Sequence, residues 1–402
     1  MHRSLFFSLF ILIQHLSFSQ SWTKISDFPS LERDDGTHFI IGNTAFCGTG
    51  FQVGFILSKE LFAFDMATET WDTAGSLPNG MERQYACGFS SNNKGFIFGG
   101  IAGSTYFNDV WMYDPLSKKW VGKSALPAVG RAGASCFVIN DTAYIIGGKT
   151  ATASAINEVW AYNMSTDTWT SKDSLPLGPR WRAAAASYNS KGYLIFGRDA
   201  SNHYSTELLE YNPATGNWTK IIDFPGKGRT YAALKSMGHD LLLVAGIDSL
   251  GNSYNDMWRF DMYTFKWSQL TSIPAQGRRG GICFNNNTTL YYTTGISQTH
   301  NRLKETWKVF NPTTIEKNAW DKFVEVFPNP TSHQLTVAIH SQELKINYIE
   351  LQNTIGQTVK TIDRQFISGN TLEIDLSDLP KGLYLLSLKS EQGIIAKKVL
   401  KN

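Results

Sequence analysis

Asn108-Asp-Val-Trp-Met-Tyr-Asp-Pro115 and Trp120, preceded by Arg83 and by Lys94-Gly-Phe-Ile-Phe-Gly-Gly100, decide the architecture of this chain. Their residue types return at a fixed interval. Tryptophan stands at Trp22, Trp71, Trp120, Trp169, Trp218 and Trp267, each 49 residues after the last. A proline follows each by seven residues, from Pro29 to Pro274. Glycine keeps the period at Gly50, Gly99, Gly148, Gly197, Gly246 and Gly295. An acid keeps it too, at Glu60, Asp109, Glu158, Glu207, Asp256 and Glu305. Four residue classes on one period make a six-fold tandem repeat.

One period contains Arg131-Ala-Gly-Ala-Ser-Cys-Phe-Val138, a polar turn and Ala143-Tyr-Ile-Ile-Gly-Gly148. A loop, Glu158-Val-Trp-Ala-Tyr-Asn163, a second turn and Trp169 complete it. Short apolar and aromatic runs parted by turn residues predict four strands, the content of one propeller blade. A lone four-stranded sheet cannot bury both faces, so each unit must stack on its neighbours.

The 402 residues carry a net charge of only +3 and no local Lys/Arg cluster, which argues against a nucleic-acid partner. Met1-His-Arg, the apolar run Leu5 to Ile13 and the small residues before Gln20 predict a signal peptide over 1–19, cleaved after Ser19 or Gln20. The run is too short to span a bilayer, and no later stretch is long enough, so no transmembrane segment is expected. Cys87, Cys136 and Cys283 share one repeat position with His38, Ala185 and Leu234. That mixture reads as small core packing with free thiols, and without CxxC spacing no metal site is expected.

Arg, the apolar-Gly-Gly run, Asn-Asp-Val-Trp-x-Tyr-Asp-Pro and the closing Trp together resemble the kelch motif over about residues 22–312. Trp22 opens the mature chain as a fourth-strand tryptophan with no earlier strands, and the last copy lacks its own, with Glu316 in its place. The expectation is an all-β, six-bladed propeller over 20–312, closed by the N-terminal strand. A linker (313–322) and a small Ig-like β-sandwich (323–402) follow, the latter from alternating runs such as Leu335–Ile339 and Leu383–Leu388. Val326-Phe-Pro-Asn-Pro-Thr331, Asp375-Leu-Ser-Asp-Leu-Pro-Lys-Gly-Leu-Tyr384 and the Lys397–Lys401 tail resemble the C-terminal sorting domain of the Bacteroidetes type IX secretion system. The resemblance implies that machinery as a partner, and a secreted or cell-surface protein.

In a kelch-type blade the first strand lines the central channel. Arg83, Arg131, Arg180, Arg229 and Arg278 begin first strands, with Trp181, Arg182 and Arg279 on the same rim. Such a ring would attract anions; the recurring acid on the same face would equally pair with it and fix the loops. Residues that break the symmetry, Tyr106, Phe107, His203, Tyr204, Tyr254 and His300, lie in the loops between second and third strands. Aromatics there suit sugar stacking or peptide binding. The expected ligand-binding set is Arg83, Arg131, Trp181, Arg182, Arg229, Arg278, His203, Tyr204 and Tyr254, with no catalytic residue, cofactor or metal. Hydrolase motifs are absent, and the histidines are too scattered for the copper site of galactose oxidase, another kelch propeller. The expectation is a non-catalytic module binding glycan or protein. The alternative is a sugar mutarotase or epimerase of the sialic-acid kind, which the resemblance links to Arg and acidic residues at a channel mouth.

Overall fold

The computed structural model describes residues 21–310, 320–341, 343–353, 357–363, 370–390 and 393–402. The expected signal peptide, Glu316 and most of the expected linker lie outside them.

Each repeat folds into one antiparallel sheet, and the innermost strand begins just past the repeat arginine. Cys87–Ser91, Lys94–Phe98, Val110–Asp114 and Lys119–Lys123 form one such sheet; Ser135–Ile139, Thr142–Ile146, Val159–Asn163 and Thr168–Lys172 form the next. Burial along Thr142–Ile146 is nearly continuous, because second strands are covered on both faces. The fourth strands are the wet edges: Thr168–Lys172 alternates around half-buried Trp169.

The last sheet is composite. Ile282–Asn285, Thr289–Thr293 and Thr306–Phe310 are joined by Trp22–Ile25, with Trp22 opposite Val309 and Ile25 opposite Thr306. Here the expected architecture needs correction. Each four-stranded sheet is open, its ladder ending at two free edge strands, and among the described residues no sheet closes on itself. The N-terminal strand therefore does not close the fold; it is the outer edge of one open sheet. The physical reason is that the strand ladders saturate within each sheet, while neighbouring sheets meet through side chains and through backbone bonds between their loops, such as Gly50 N–H to the Arg83 carbonyl at 2.8 Å. Phe64 of one sheet packs on Phe284 and Tyr291 of another, at 5.5 and 5.2 Å between ring centres.

The repeat tryptophans act at those seams. The indole N–H of Trp22 donates to the Thr271 carbonyl at 2.8 Å, and that of Trp169 to the Ser124 carbonyl at 2.8 Å, each on the preceding unit. The glycine ending each second strand has φ between 83° and 105° (Gly50, Gly100, Gly148, Gly197, Gly246, Gly295). A Cβ on Gly50 would lie 2.5 Å from the Asp34 carbonyl, so only glycine lets the chain turn back there.

The C-terminal region builds a second core. The three strands Val324–Phe327, Gln334–Ile339 and Thr371–Asp375 face a four-stranded sheet ordered Thr358–Asp363, Ile346–Gln352, Gly382–Ser390 and Gly393–Lys401. Leu335, Val337, Ile349, Leu351, Leu386, Leu388 and Val399 fill the space between. All four cysteines are free. Among the described residues no helix is long and apolar enough to cross a membrane.

Candidate functional site at the channel mouth

The arginines that open each repeat turn inward and meet the acid that opens the third strand. Arg33–Glu60, Arg83–Asp109, Arg131–Glu158, Arg180–Glu207, Arg229–Asp256 and Arg278–Glu305 are ion pairs of 2.6, 2.7, 2.7, 3.4, 2.6 and 3.0 Å. Their arginine side chains are at most 5% exposed. Third-strand indoles of Trp111, Trp160, Trp258 and Trp307 donate to the same acids at 2.7–3.1 Å. Leu209 and Phe62 stand in place of that tryptophan in the other two units, whose pairs are the longest and among the shortest of the six, at 3.4 and 2.6 Å. Arg83, Arg131, Arg229 and Arg278 thus lie within the blade framework, away from the open rim.

A second set of residues stands two positions further on. Asp35, Tyr85, Gly133, Arg182, Tyr231 and Gly280 occupy one structural position, all left-handed, with φ of 58°, 64°, 62°, 60°, 60° and 64°. A chain of backbone bonds links them across units: Asp35 N–H to Gly280 O, Tyr85 to Asp35, Gly133 to Tyr85, Arg182 to Gly133 and Tyr231 to Arg182, at 2.7–3.3 Å. Glycine is the residue this conformation favours, and two units have it. In the other four, bulky residues hold a strained geometry, a pattern that clusters at functional sites.

Their side chains converge over the channel. Arg182 reaches across to pair with the Asp35 carboxylate. Its guanidinium lies between the Tyr85 ring, 3.8 Å from the centroid, and the Tyr231 ring, at 4.0 Å. Trp181 stands edge-on to both tyrosines, at 6.3 and 5.6 Å, and Arg198 stacks on its other side at 4.5 Å. The glycines make room: a Cβ on Gly133 would meet the Trp181 Nε1 at 2.6 Å, and one on Gly280 the Asp35 Oδ1 at 2.6 Å. Arg279 lies 5.8 Å from the Tyr231 ring and pairs with no carboxylate among the described residues. Trp181 Nε1 and Arg182 Nε are buried donors without a partner among those residues.

Burial pushes the Asp35 carboxyl up to about 7; neighbouring Asp34 adds to the rise and Arg182 opposes it. Burial alone would depress Arg182, but Asp35 and the two phenols hold it above its ordinary value. Burial also raises the phenols of Tyr85 and Tyr231, keeping both protonated as donors. The mouth therefore offers a carboxyl poised near neutrality, fixed cations and phenolic donors in a half-buried place.

Of the other expected residues, His203 is a loop side chain 69% exposed, 4.0 Å from Asp199. Tyr204 bridges back to Arg198 through its backbone. Tyr254 donates to Asp248 at 3.0 Å and carries Arg229 over its ring at 3.7 Å, a packing contact. Only Trp181 and Arg182 of the expected set are brought together at the mouth. Asp35, Tyr85 and Tyr231 were missed, although one signal was legible: the residue two past each repeat arginine alternates between glycine and large polar types.

Past the far end of the channel-lining strand Ala233–Met237, the turn carries His239, and Asp240 opens the next strand beside Asp261. Their potential ligand atoms all lie within 4.8 Å of one another.

Residues 37–228 match a family described as KLHDC2/KLHL20/DRC7 Kelch-repeats domain, and residues 228–274 match the Kelch motif. Residues 325–402 match the Secretion system C-terminal sorting domain. The chain carries a kelch-repeat domain and a C-terminal secretion sorting domain. That tail is of the type IX kind, and it assigns the protein to secretion or the cell surface through that system. No curated protein matches the chain significantly. Among solved structures, the one titled "Structure of YjhT" shares the fold, with a TM-score of 0.62 at 19% identity over 70% of this chain and 95% of that one. The His239–Asp240–Asp261 cluster corrects the expectation of a purely non-catalytic binding module, and with it the expectation against an enzyme; the shared fold speaks for the architecture alone. Imidazole and clustered carboxylates are the groups of acid–base and metal-assisted chemistry.

Proposed function

We propose that the propeller is a mutarotase or epimerase for an acidic, sialic-acid-type sugar, working at the channel mouth. The observation that carries this is the Arg182–Asp35 pair crossing the mouth between two tyrosines, with Arg279 unpaired beside it. Arg279 binds the substrate carboxylate as a bidentate partner. Asp35 accepts the proton of the anomeric hydroxyl while a phenol, Tyr85 or Tyr231, donates one to the ring oxygen. The ring C–O bond then breaks to give the open-chain carbonyl, and re-closure on the other face of that carbonyl reverses both proton transfers. Arg182 tunes and orients Asp35, and Trp181 supplies an apolar wall for the sugar ring. Six four-stranded sheets support six blades over 20–312, which we place between a signal peptide (1–19) and a linker (313–322) leading to the sorting domain (323–402).

Re-equilibration of freshly dissolved β-N-acetylneuraminic acid, followed by proton NMR, tests this. Acceleration by the wild type, reduced about 100-fold or more in Arg182→Ala, is expected. If no acidic sugar re-equilibrates faster with the wild type than in buffer, the assignment fails.

A further inference from the structure

The buried carboxylate of Asp240 is the most conspicuous polar group that the mouth chemistry does not use. Its side chain is 0% exposed, and neither oxygen has a hydrogen-bond partner among the described residues. Such a group is costly unless it is protonated, paired or metal-bound. Its neighbours are potential ligands. Asp261 is its cross-strand partner, and His239 precedes it in the chain, with Nε2 at 3.7 Å from Asp240 Oδ1. Asp261 spends Oδ1 on the N–H groups of Tyr263 and Thr264, at 2.9 and 3.1 Å, while its Oδ2 takes no hydrogen bond among the described residues. The His239 ring leans on Tyr263 with 4.8 Å between centroids, which fixes its direction. One imidazole nitrogen and two carboxylate oxygens lie within 4.8 Å of one another; ligands at about 2.0–2.2 Å from a tetrahedral ion sit roughly 3.4 Å apart, so small side-chain rotations would draw the three together on binding.

We infer that His239, Asp240 and Asp261 form a site for a divalent transition-metal cation, at the end of the channel opposite the sugar-binding mouth. A mixed nitrogen and oxygen donor set favours zinc-like ions over calcium or magnesium, which prefer oxygen alone. Two cations belong to the surroundings. Arg259 faces the same acids, and Lys389 of the sorting domain lies 3.8 Å above the Tyr263 ring and 3.7 Å from Glu350. Lys389 contacts neither Asp240 nor Asp261 directly, so the ligand oxygens stay open while its charge opposes a second cation.

Titration calorimetry of Zn2+ into chelator-treated full-length protein, with Mg2+ in parallel, tests the site independently of any sugar chemistry. One equivalent of Zn2+ should bind saturably. Asp240→Asn and His239→Ala should each weaken it at least 10-fold, and Lys389→Met should tighten it several-fold. No saturable Zn2+ binding, or Zn2+ binding unchanged in both ligand variants, overturns the inference. So does binding of Mg2+ as tight as Zn2+, which would contradict the donor set.

Discussion

At the residue scale, Asp35 decides the pH behaviour. Its folded carboxyl titrates near 7, above the ordinary range, because burial disfavours its charge. The ionised form must accept the substrate proton, so the rate should rise with pH through about 7, and Asp35→Asn should lack that rising limb. Stability runs the other way. An acid raised in the folded state contributes fully below its unfolded pKa, and the contribution is lost as pH climbs through about 7. Urea unfolding at pH 5 and pH 8 checks the sign: the fall in stability should be smaller in Asp35→Asn than in the wild type. Arg279 acts in binding, so Arg279→Ala should raise KM about 10-fold or more and change kcat less, as steady-state kinetics would show. A loss confined to kcat would remove it from carboxylate recognition.

At the scale of elements, the repeat is held by buried pairs that the mouth does not touch. Arg229 forks onto both Asp256 oxygens at 2.6 and 2.7 Å, and both side chains are largely buried. Arg229→Met strands that carboxylate and should cost about 3–5 kcal/mol in chemical denaturation. Gly280 behaves differently. A side chain there must adopt φ +64° and would press on Asp35, so Gly280→Val should displace the acid and suppress mutarotation beyond its effect on stability. These elements were legible early, because each recurs six times and periodicity exposes it. The partner of each arginine was also legible, as the acid on the same face. Arg83, Arg131, Arg229 and Arg278 nonetheless entered the expected ligand set, because one-dimensional spacing does not say whether a charge is buried.

At the scale of the whole molecule, the sheets are separate open ladders joined by side chains and by loop backbone bonds, so each edge matters. Trp22–Ile25 covers Thr306–Phe310. A chain beginning at Ser26 should expose that strand as an unpaired edge, and light scattering on warming should show aggregation at a lower temperature than the chain from Ser21. Equal onset would mean that side-chain packing alone protects the sheet.

The amino-acid order determined the repeat, the strand content of each unit, the place of Trp22–Ile25 beside the last unit and the two-part organisation of the chain. All are properties of residue type and spacing. Tertiary structure alone decided that Asp35 and Arg182, 147 positions apart, meet across one channel. It also decided that Asp240 lies buried beside His239 and Asp261, with no hydrogen bond to its carboxylate among the described residues. Identical blades carry different residues to a common centre, and what those residues do depends on distance and burial, which no single repeat encodes.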